Sequence, residues 1–195
     1  MAKGEISNRM VVIGGSAGSL EVILKIIPEL PTQSGASFVI VVHRKNEPDS
    51  VLRKLLSTRT TMKVREAEDK DPVLPDTIYL APPDYHLLLE NRHSFSLDSS
   101  EKVHHSRPSL DVTFESVAHA FEEASIGVLL SGANADGAEG LKTIKDVRGL
   151  TIAQNPLSAD VGFMPQQAIN IFKVDYVLDA SEIGPMINRL LTTFD

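Results

Sequence analysis

Short apolar runs alternate along this chain with stretches whose apolar positions recur at helical spacing. Met10-Val-Val-Ile13 has the pattern of a strand, and Leu20, Ile23, Leu24 and Ile27 follow it at the i, i+3, i+4, i+7 intervals of an amphipathic helix. Phe38-Val-Ile-Val-Val42 is an unbroken, mostly β-branched run, as expected of a strand buried on both faces of a parallel sheet. Val51, Leu52, Leu55 and Leu56 mark a short helix after it. The middle of the chain changes character. Thr77-Ile-Tyr-Leu80, Leu87-Leu-Leu89 and Ser94 to Leu97 are brief and divided by Pro82-Pro83 and by Asn91-Arg-His93, which predicts a small antiparallel excursion.

The alternation resumes with a helix from about Leu110 to Glu123, with Ser109 as its N-cap and Leu110, Phe114, Val117 and Phe121 facing inward. Next come the strand Ile126-Gly-Val-Leu-Leu130, the loop Ser131-Gly-Ala-Asn-Ala-Asp-Gly137, a helix with Leu141 and Ile144 inward, and the strand Leu150 to Ala153. A strand near Tyr176 to Leu178 and a helix carrying Ile183, Met186, Ile187, Leu190 and Leu191 close the pattern. Repeated βα units predict an α/β fold: a doubly wound, mostly parallel sheet with flanking helices, right-handed crossovers and a small antiparallel hairpin. Residues 1–195 hold no internal repeat, low-complexity tract or linker, so a single domain is expected.

Composition narrows the function classes. A hydrophobic content of 42% is ordinary for a globular chain, and no apolar run approaches the roughly 20 residues that span a bilayer, so no membrane insertion is expected. The chain has no Cys, hence no disulfide, thiol nucleophile or Cys-ligated zinc; with no signal-peptide pattern at Met1-Ala-Lys-Gly-Glu5, the cytoplasm is the expected location. A net charge of -7 argues against a general nucleic-acid surface.

The chemistry concentrates where strands end. Gly14-Gly-Ser16-Ala-Gly18 fits the G-x-S-x-G nucleophile elbow in its required strand-turn-helix setting, with free amides and the positive end of a helix beside the Ser16 hydroxyl. The same residues also suit a phosphate cradle or a tight structural turn. In a doubly wound sheet, functional groups gather beyond the carboxyl ends of the strands. His43 follows Val39-Ile-Val-Val42 and Asp136 lies in the loop after Val128-Leu-Leu130, which supplies a nucleophile, a base and a carboxylate to orient that base. The order Ser, His, Asp and the first-strand position of Ser16 differ from ordinary α/β-hydrolases.

Several segments, taken in order, resemble the catalytic domain of chemotaxis protein-glutamate methylesterases, the CheB family. They are Ile13-Gly-Gly-Ser-Ala-Gly18, Val41-Val-His43, Val64-Arg-Glu-Ala-Glu68, Ile78-Tyr-Leu-Ala-Pro-Pro83 with His86, Arg107-Pro-Ser-Leu-Asp111, Leu130-Ser-Gly-Ala-Asn-Ala-Asp-Gly137, and Ala153-Gln-Asn-Pro156 with Met164-Pro165. The resemblance covers nearly the whole chain. It implies a parallel α/β fold with Ser16 as nucleophile, His43 as general base and Asp136 as its partner. It further implies hydrolysis of γ-glutamyl methyl esters on chemoreceptors, and deamidation of receptor glutamines by the same acyl chemistry. Two departures lie beside the site: the family commonly has Gly where Ser19 stands, and Met or Thr followed by Gly where Ala133 and Asn134 stand. A backbone donor survives side-chain replacement, so the amides of Ala17 and Ala133 are the candidates for binding an oxyanion. The family's phosphorylatable receiver domain is not in this sequence, so a separate receiver protein is a candidate partner.

Other residues carry competing readings. Arg44, Arg107 and Met164, the last in an apolar Phe163-Met164-Pro165 turn, are candidates for substrate binding; Arg107 serves equally to anchor the loop before its helix. His86 reads as a packed histidine, Glu66 to Asp71 as a solvated turn, and adjacent His104-His105 lack the i, i+4 spacing of a helical metal pair, so neither metal nor cofactor is expected. Two other classes stay open. In a dinucleotide-binding module Gly14, Gly15 and Gly18 would cradle phosphate and Arg44 would meet a 2′-phosphate, although the spacing is not G-x-G-x-x-G. In a signalling interaction domain the same fold would bind a partner with little catalysis.

Overall fold

A strand without a polar face has to be covered on both sides, and the fold is built around several of them. The computed structural model describes residues 7–43 and 50–193. In chain order the elements are β1 (Arg9–Gly15), α1 (Ser19–Ile26), β2 (Ala36–Val42), α2 (Ser50–Ser57), β3 (Lys63–Glu66), β4 (Thr77–Leu80), β5 (His86–Asn91) and β6 (Ser94–Asp98). They continue with α3 (Leu110–Phe121), β7 (Ser125–Leu129), α4 (Ala138–Asp146), β8 (Leu150–Gln154), α5 (Phe163–Ile171), β9 (Tyr176–Leu178) and α6 (Ala180–Thr192). Seven strands form one sheet in the order β3-β4-β2-β1-β7-β8-β9, parallel throughout. β5 and β6 pair antiparallel in a separate hairpin that packs on α3.

Successive residues of the central strands feed opposite cores, as the twofold alternation of a strand requires. Met10, Val12, Val39 and Val41 pack with Leu110, Phe114 and Val117 of α3 and with Leu141 and Ile144 of α4. Val11, Ile13, Phe38 and Ile40 pack on the other side with Ile23 and Ile26 of α1 and Ile183 and Ile187 of α6. The sheet is therefore doubly wound. Among the described residues, no helix is long and apolar enough to cross a membrane.

Three sequence expectations are corrected. Thr77–Leu80 is not part of the antiparallel excursion: it is fully buried in the main sheet, with Ile78 aligned to Phe38 on one side and to Val64 on the other. Four residues are too few to carry a diagnostic period. Phe163-Met164-Pro165 is not a turn but the first turn of α5, where the missing N–H of Pro165 costs no helical hydrogen bond. The helix predicted to reach Glu123 ends at Phe121 and passes into a 3₁₀ turn over Glu122–Ala124. The helix read from Val51 to Leu56 and the Ser109 cap are both present; the Ser109 hydroxyl accepts the Val112 amide at 3.4 Å.

β1 lies between β2, reached directly through α1, and β7, reached only after the chain has laid down β2 to β6 and α3. The winding reverses at β1, and a crevice opens at such a switch point beyond the strand ends.

Candidate active site

Ser16 follows immediately after β1, in a turn held by its backbone. Its N–H donates to the Ser131 carbonyl at 2.8 Å, and its carbonyl accepts the Ser19 N–H at 3.0 Å and the Ser19 hydroxyl at 2.7 Å. Ser16 is half-buried, and among the described residues its own hydroxyl makes no hydrogen bond. Gly18 closes the turn at φ +79°, and a Cβ there would come within 2.6 Å of Asp160 Cβ, so both the dihedral and the space call for glycine. Gly14 and Gly15 belong to β1 instead of to a loop. The space a Gly14 side chain would need is filled by Leu110, so this glycine is accounted for by strand packing and not by a phosphate cradle.

His43 stands at the end of the neighbouring strand, its N–H donating to the Gly15 carbonyl at 3.2 Å. Its Nε2 lies 2.7 Å from Asp136 Oδ2. Asp136 sits after β7, fully buried, and its carboxylate occupies the N-terminus of α3: Oδ2 also accepts the Leu110 N–H (2.7 Å), and Oδ1 accepts the Asp111 N–H (3.0 Å) and the Ser109 hydroxyl (2.7 Å). Burial by itself raises a carboxyl pKa. Here the bonds from His43, Ser109 and the Asp111 and Leu110 amides outweigh it and hold Asp136 below the ordinary carboxylate value. An ionised carboxylate only accepts, so Nε2 carries the proton in this pair and Nδ1 carries the lone pair, free to act as a base.

The other candidates divide. Ala17 and Ala133 are exposed beside Ser16 and in the loop after β7, and within the described chain neither amide finds an acceptor, which leaves both N–H groups open to an oxyanion. Met164 is fully buried; its N–H donates to the Gly132 carbonyl at 3.0 Å, and a Cβ on Gly132 would fall 1.8 Å from Met164 Sδ and 3.0 Å from Ser16 Cβ. The Arg107 guanidinium donates to the carbonyls of Ser99 (2.8 Å) and Ser100 (2.7 Å) and so ties down the loop between β6 and α3. Arg44 lies outside the described residues. His86 is buried, bonded through its two nitrogens to the Glu101 carbonyl and the Ser109 amide. His104 faces Asp111, Nε2 to Oδ2 3.4 Å.

Sequence reasoning placed Asn134 beside the site without a role and missed the other polar residues that assemble around these groups. The Ser106 hydroxyl lies 3.3 Å from His43 Nδ1, and the Asn134 amide nitrogen lies 3.4 Å from the same atom and 3.1 Å from Ser106 Oγ. The Ser131 hydroxyl donates to the Ala17 carbonyl at 2.6 Å and accepts the Val161 N–H at 3.0 Å, while the Ser131 amide donates to the side chain of buried Gln154. The departure from the family pattern pointed to Asn134, and only the tendency of polar residues to follow a buried strand pointed to Ser131.

A hydroxyl, an imidazole and a buried carboxylate at three adjacent strand ends are the groups that acyl-transfer hydrolases employ, and they set this molecule among α/β folds with a hydrolase-type site at the switch point. The sequence matches the CheB methylesterase family over residues 11–187. The chain belongs to the CheB methylesterase family. A putative protein-glutamate methylesterase/protein-glutamine glutaminase of Leptospira interrogans is 44% identical over 180 residues, which cover 92% of this chain and 93% of that protein. The protein-glutamate methylesterase/protein-glutamine glutaminase of Thermotoga maritima is 34% identical over 194 residues, covering 98% of this chain but 56% of the longer relative. The crystal structure of the Thermotoga maritima CheB methylesterase catalytic domain matches with a TM-score of 0.89 at 34% identity, covering 95% of this chain and 100% of that one.

Proposed function

We propose that this chain is a cytoplasmic protein-glutamate methylesterase that hydrolyses γ-methyl esters of glutamate on chemoreceptors and deamidates receptor glutamines by the same route. The observation that carries the reading is the 2.7 Å bond between His43 Nε2 and the buried, ionised Asp136, which leaves Nδ1 as a base at the strand end beside Ser16. Ser16 Oγ attacks the ester carbonyl carbon while its proton passes to His43 Nδ1. The negative charge on the carbonyl oxygen is met by the Ala17 and Ala133 amides. Collapse of the adduct breaks the bond to the methoxy group, which takes the proton from Nδ1 and leaves as methanol. Water then attacks the acyl-serine, again losing its proton to Nδ1, and frees the glutamate carboxylate and Ser16.

A substrate borne on another protein needs a surface to rest on. Phe163, 48% exposed at the start of α5, adjoins Met164, which packs at Gly132 beside Ser16, and with Leu157, 96% exposed on the segment leading into that helix, it supplies an apolar rim. With a net charge of -7, long-range attraction to an acidic receptor is poor, so contact falls to this rim and to Arg44 and Arg107. Methanol release from membranes carrying methylated chemoreceptors tests the proposal: wild-type protein releases it and Ser16→Ala does not. A folded wild type that releases none overturns the reading.

A further inference from the structure

We propose that Asn134 and Ser106 are positioning residues that bracket the basic nitrogen of His43, fix its tautomer and hold its lone pair until the Ser16 hydroxyl takes it. The inference rests on the assignment of His43 as the base. Asp136 grips one edge of the imidazole at 2.7 Å, whereas the opposite edge is met by two longer contacts, Ser106 Oγ at 3.3 Å and Asn134 Nδ2 at 3.4 Å. The Asn134 side chain is not free to turn. Its Oδ1 accepts the Asp136 N–H at 3.1 Å, which points its NH₂ group at Ser106 and His43.

Donor and acceptor chemistry sets the consequence. An amide NH₂ only donates, so Asn134 favours an imidazole with a lone pair at Nδ1 and opposes a proton there. A hydroxyl works both ways. Ser106 donates to the neutral ring; when Nδ1 is protonated it turns its own proton toward the His104 carbonyl, 3.5 Å away, and accepts from the ring. Contacts of 3.3 and 3.4 Å are long for hydrogen bonds, so the bracket is weak enough to yield to a well-placed Ser16 hydroxyl. Among the described residues, the titratable groups facing the imidazole are Asp136, in direct contact, and behind it Asp111 with its partner His104. On the Nδ1 side, Ser106 and Asn134 are the polar contacts of the ring among the described residues.

Nitrogen-detected NMR of the His43 ring tests this without reference to turnover. In the wild type the neutral ring carries its proton on Nε2. Asn134→Gly removes the donor and raises the midpoint for ring protonation by roughly half to one pH unit, as expected for the loss of one neutral hydrogen bond. Asn134→Asp keeps the shape and the acceptor for the Asp136 amide but puts an acceptor where the NH₂ group stood, and raises the midpoint further. Ser106→Ala weakens the bracket without touching the Asn134–Asp136 contact and quickens labelling of Ser16 by a fluorophosphonate a few-fold at pH 7. Equal midpoints for wild type and Asn134→Gly, both folded, overturn the proposal. Absence of Ser16 labelling in the wild type would instead count against the nucleophile, and the NMR midpoints would still decide the bracket.

Discussion

Asp136 and Asp111 each cap the other's helix. The Asp136 carboxylate, just ahead of α4, accepts the first two amides of α3, and the Asp111 carboxylate, in the first turn of α3, accepts the Gly140 amide in the first turn of α4 at 2.7 Å. Free amides and the positive helix end stabilise a negative charge at each position. The two groups are nonetheless unequal. Burial, with the negative charge of Asp136 adding to it against the Gly140 bond, pushes Asp111 up to about 6, while Asp136 is held below the ordinary value.

That inequality gives opposite pH dependences. Asp111 takes up its proton more readily folded (about 6) than unfolded (3.8), so stability falls as pH rises through that window. Asp136 does the reverse: its contribution is present above 3.8 and is lost as pH drops through its lower folded value. Urea unfolding of Asp111→Asn at pH 4 and pH 7 should therefore show less decline between the two than the wild type, by on the order of 2 kcal/mol.

Ser16→Ala should abolish fluorophosphonate labelling and lower ester hydrolysis by about 10⁴ to 10⁶ in rate. The turn is held by the Ser16 backbone, not its hydroxyl, so the melting temperature should stay within a degree or two of wild type. Retained hydrolysis would remove Ser16 from the chemistry.

Asp136→Asn puts an NH₂ group where one oxygen now accepts N–H or O–H donors. The expected result is a fall of about 10⁴ in kcat with a smaller change in KM, because the tautomer of the base is disturbed and the binding surface is not. Loss of a buried acceptor facing the α3 amides should also cost roughly 1–3 kcal/mol of stability, measurable by urea titration at pH 7.

Gly132→Ala drives a methyl group into Met164 Sδ and against Ser16 Cβ. Overpacking at such a site costs about 1–3 kcal/mol, and labelling of Ser16 should slow with it. Adding Met164→Ala should return part of both losses, since the clash disappears; purely additive losses would show that the contact does not transmit to Ser16.

The sequence made the central strands legible because their apolar runs are long, and it made the Ser16 turn legible because strand, small residues and helix follow in immediate succession. β3 stayed hidden: Lys63, Arg65 and Glu66 mark it as a sheet edge, where charged side chains meet solvent, and edges carry little apolar signal. α5 stayed hidden because Gly162 and Pro165 look like a turn until packing shows the proline in a first helical turn. Ser109 was readable as a cap, but its bond to Asp136 spans 27 residues and depends on where two helices meet. The same limit applies to Ser106, whose contact with His43 bridges 63 positions.

The two ends of the pair formed by His43 and Asp136 are 93 residues apart, and the Ser131 hydroxyl that steadies the Ser16 turn reaches back across 114. During synthesis the segment bearing Ser16 and His43 is therefore complete long before β7 can dock beside β1. On the proposed mechanism, Ser16 has no oriented base until it does. If the proposed mechanism holds, a nascent or half-folded chain is inert toward bystander esters, and the first turnover of a newly made molecule reports that β7 has joined the sheet beside β1.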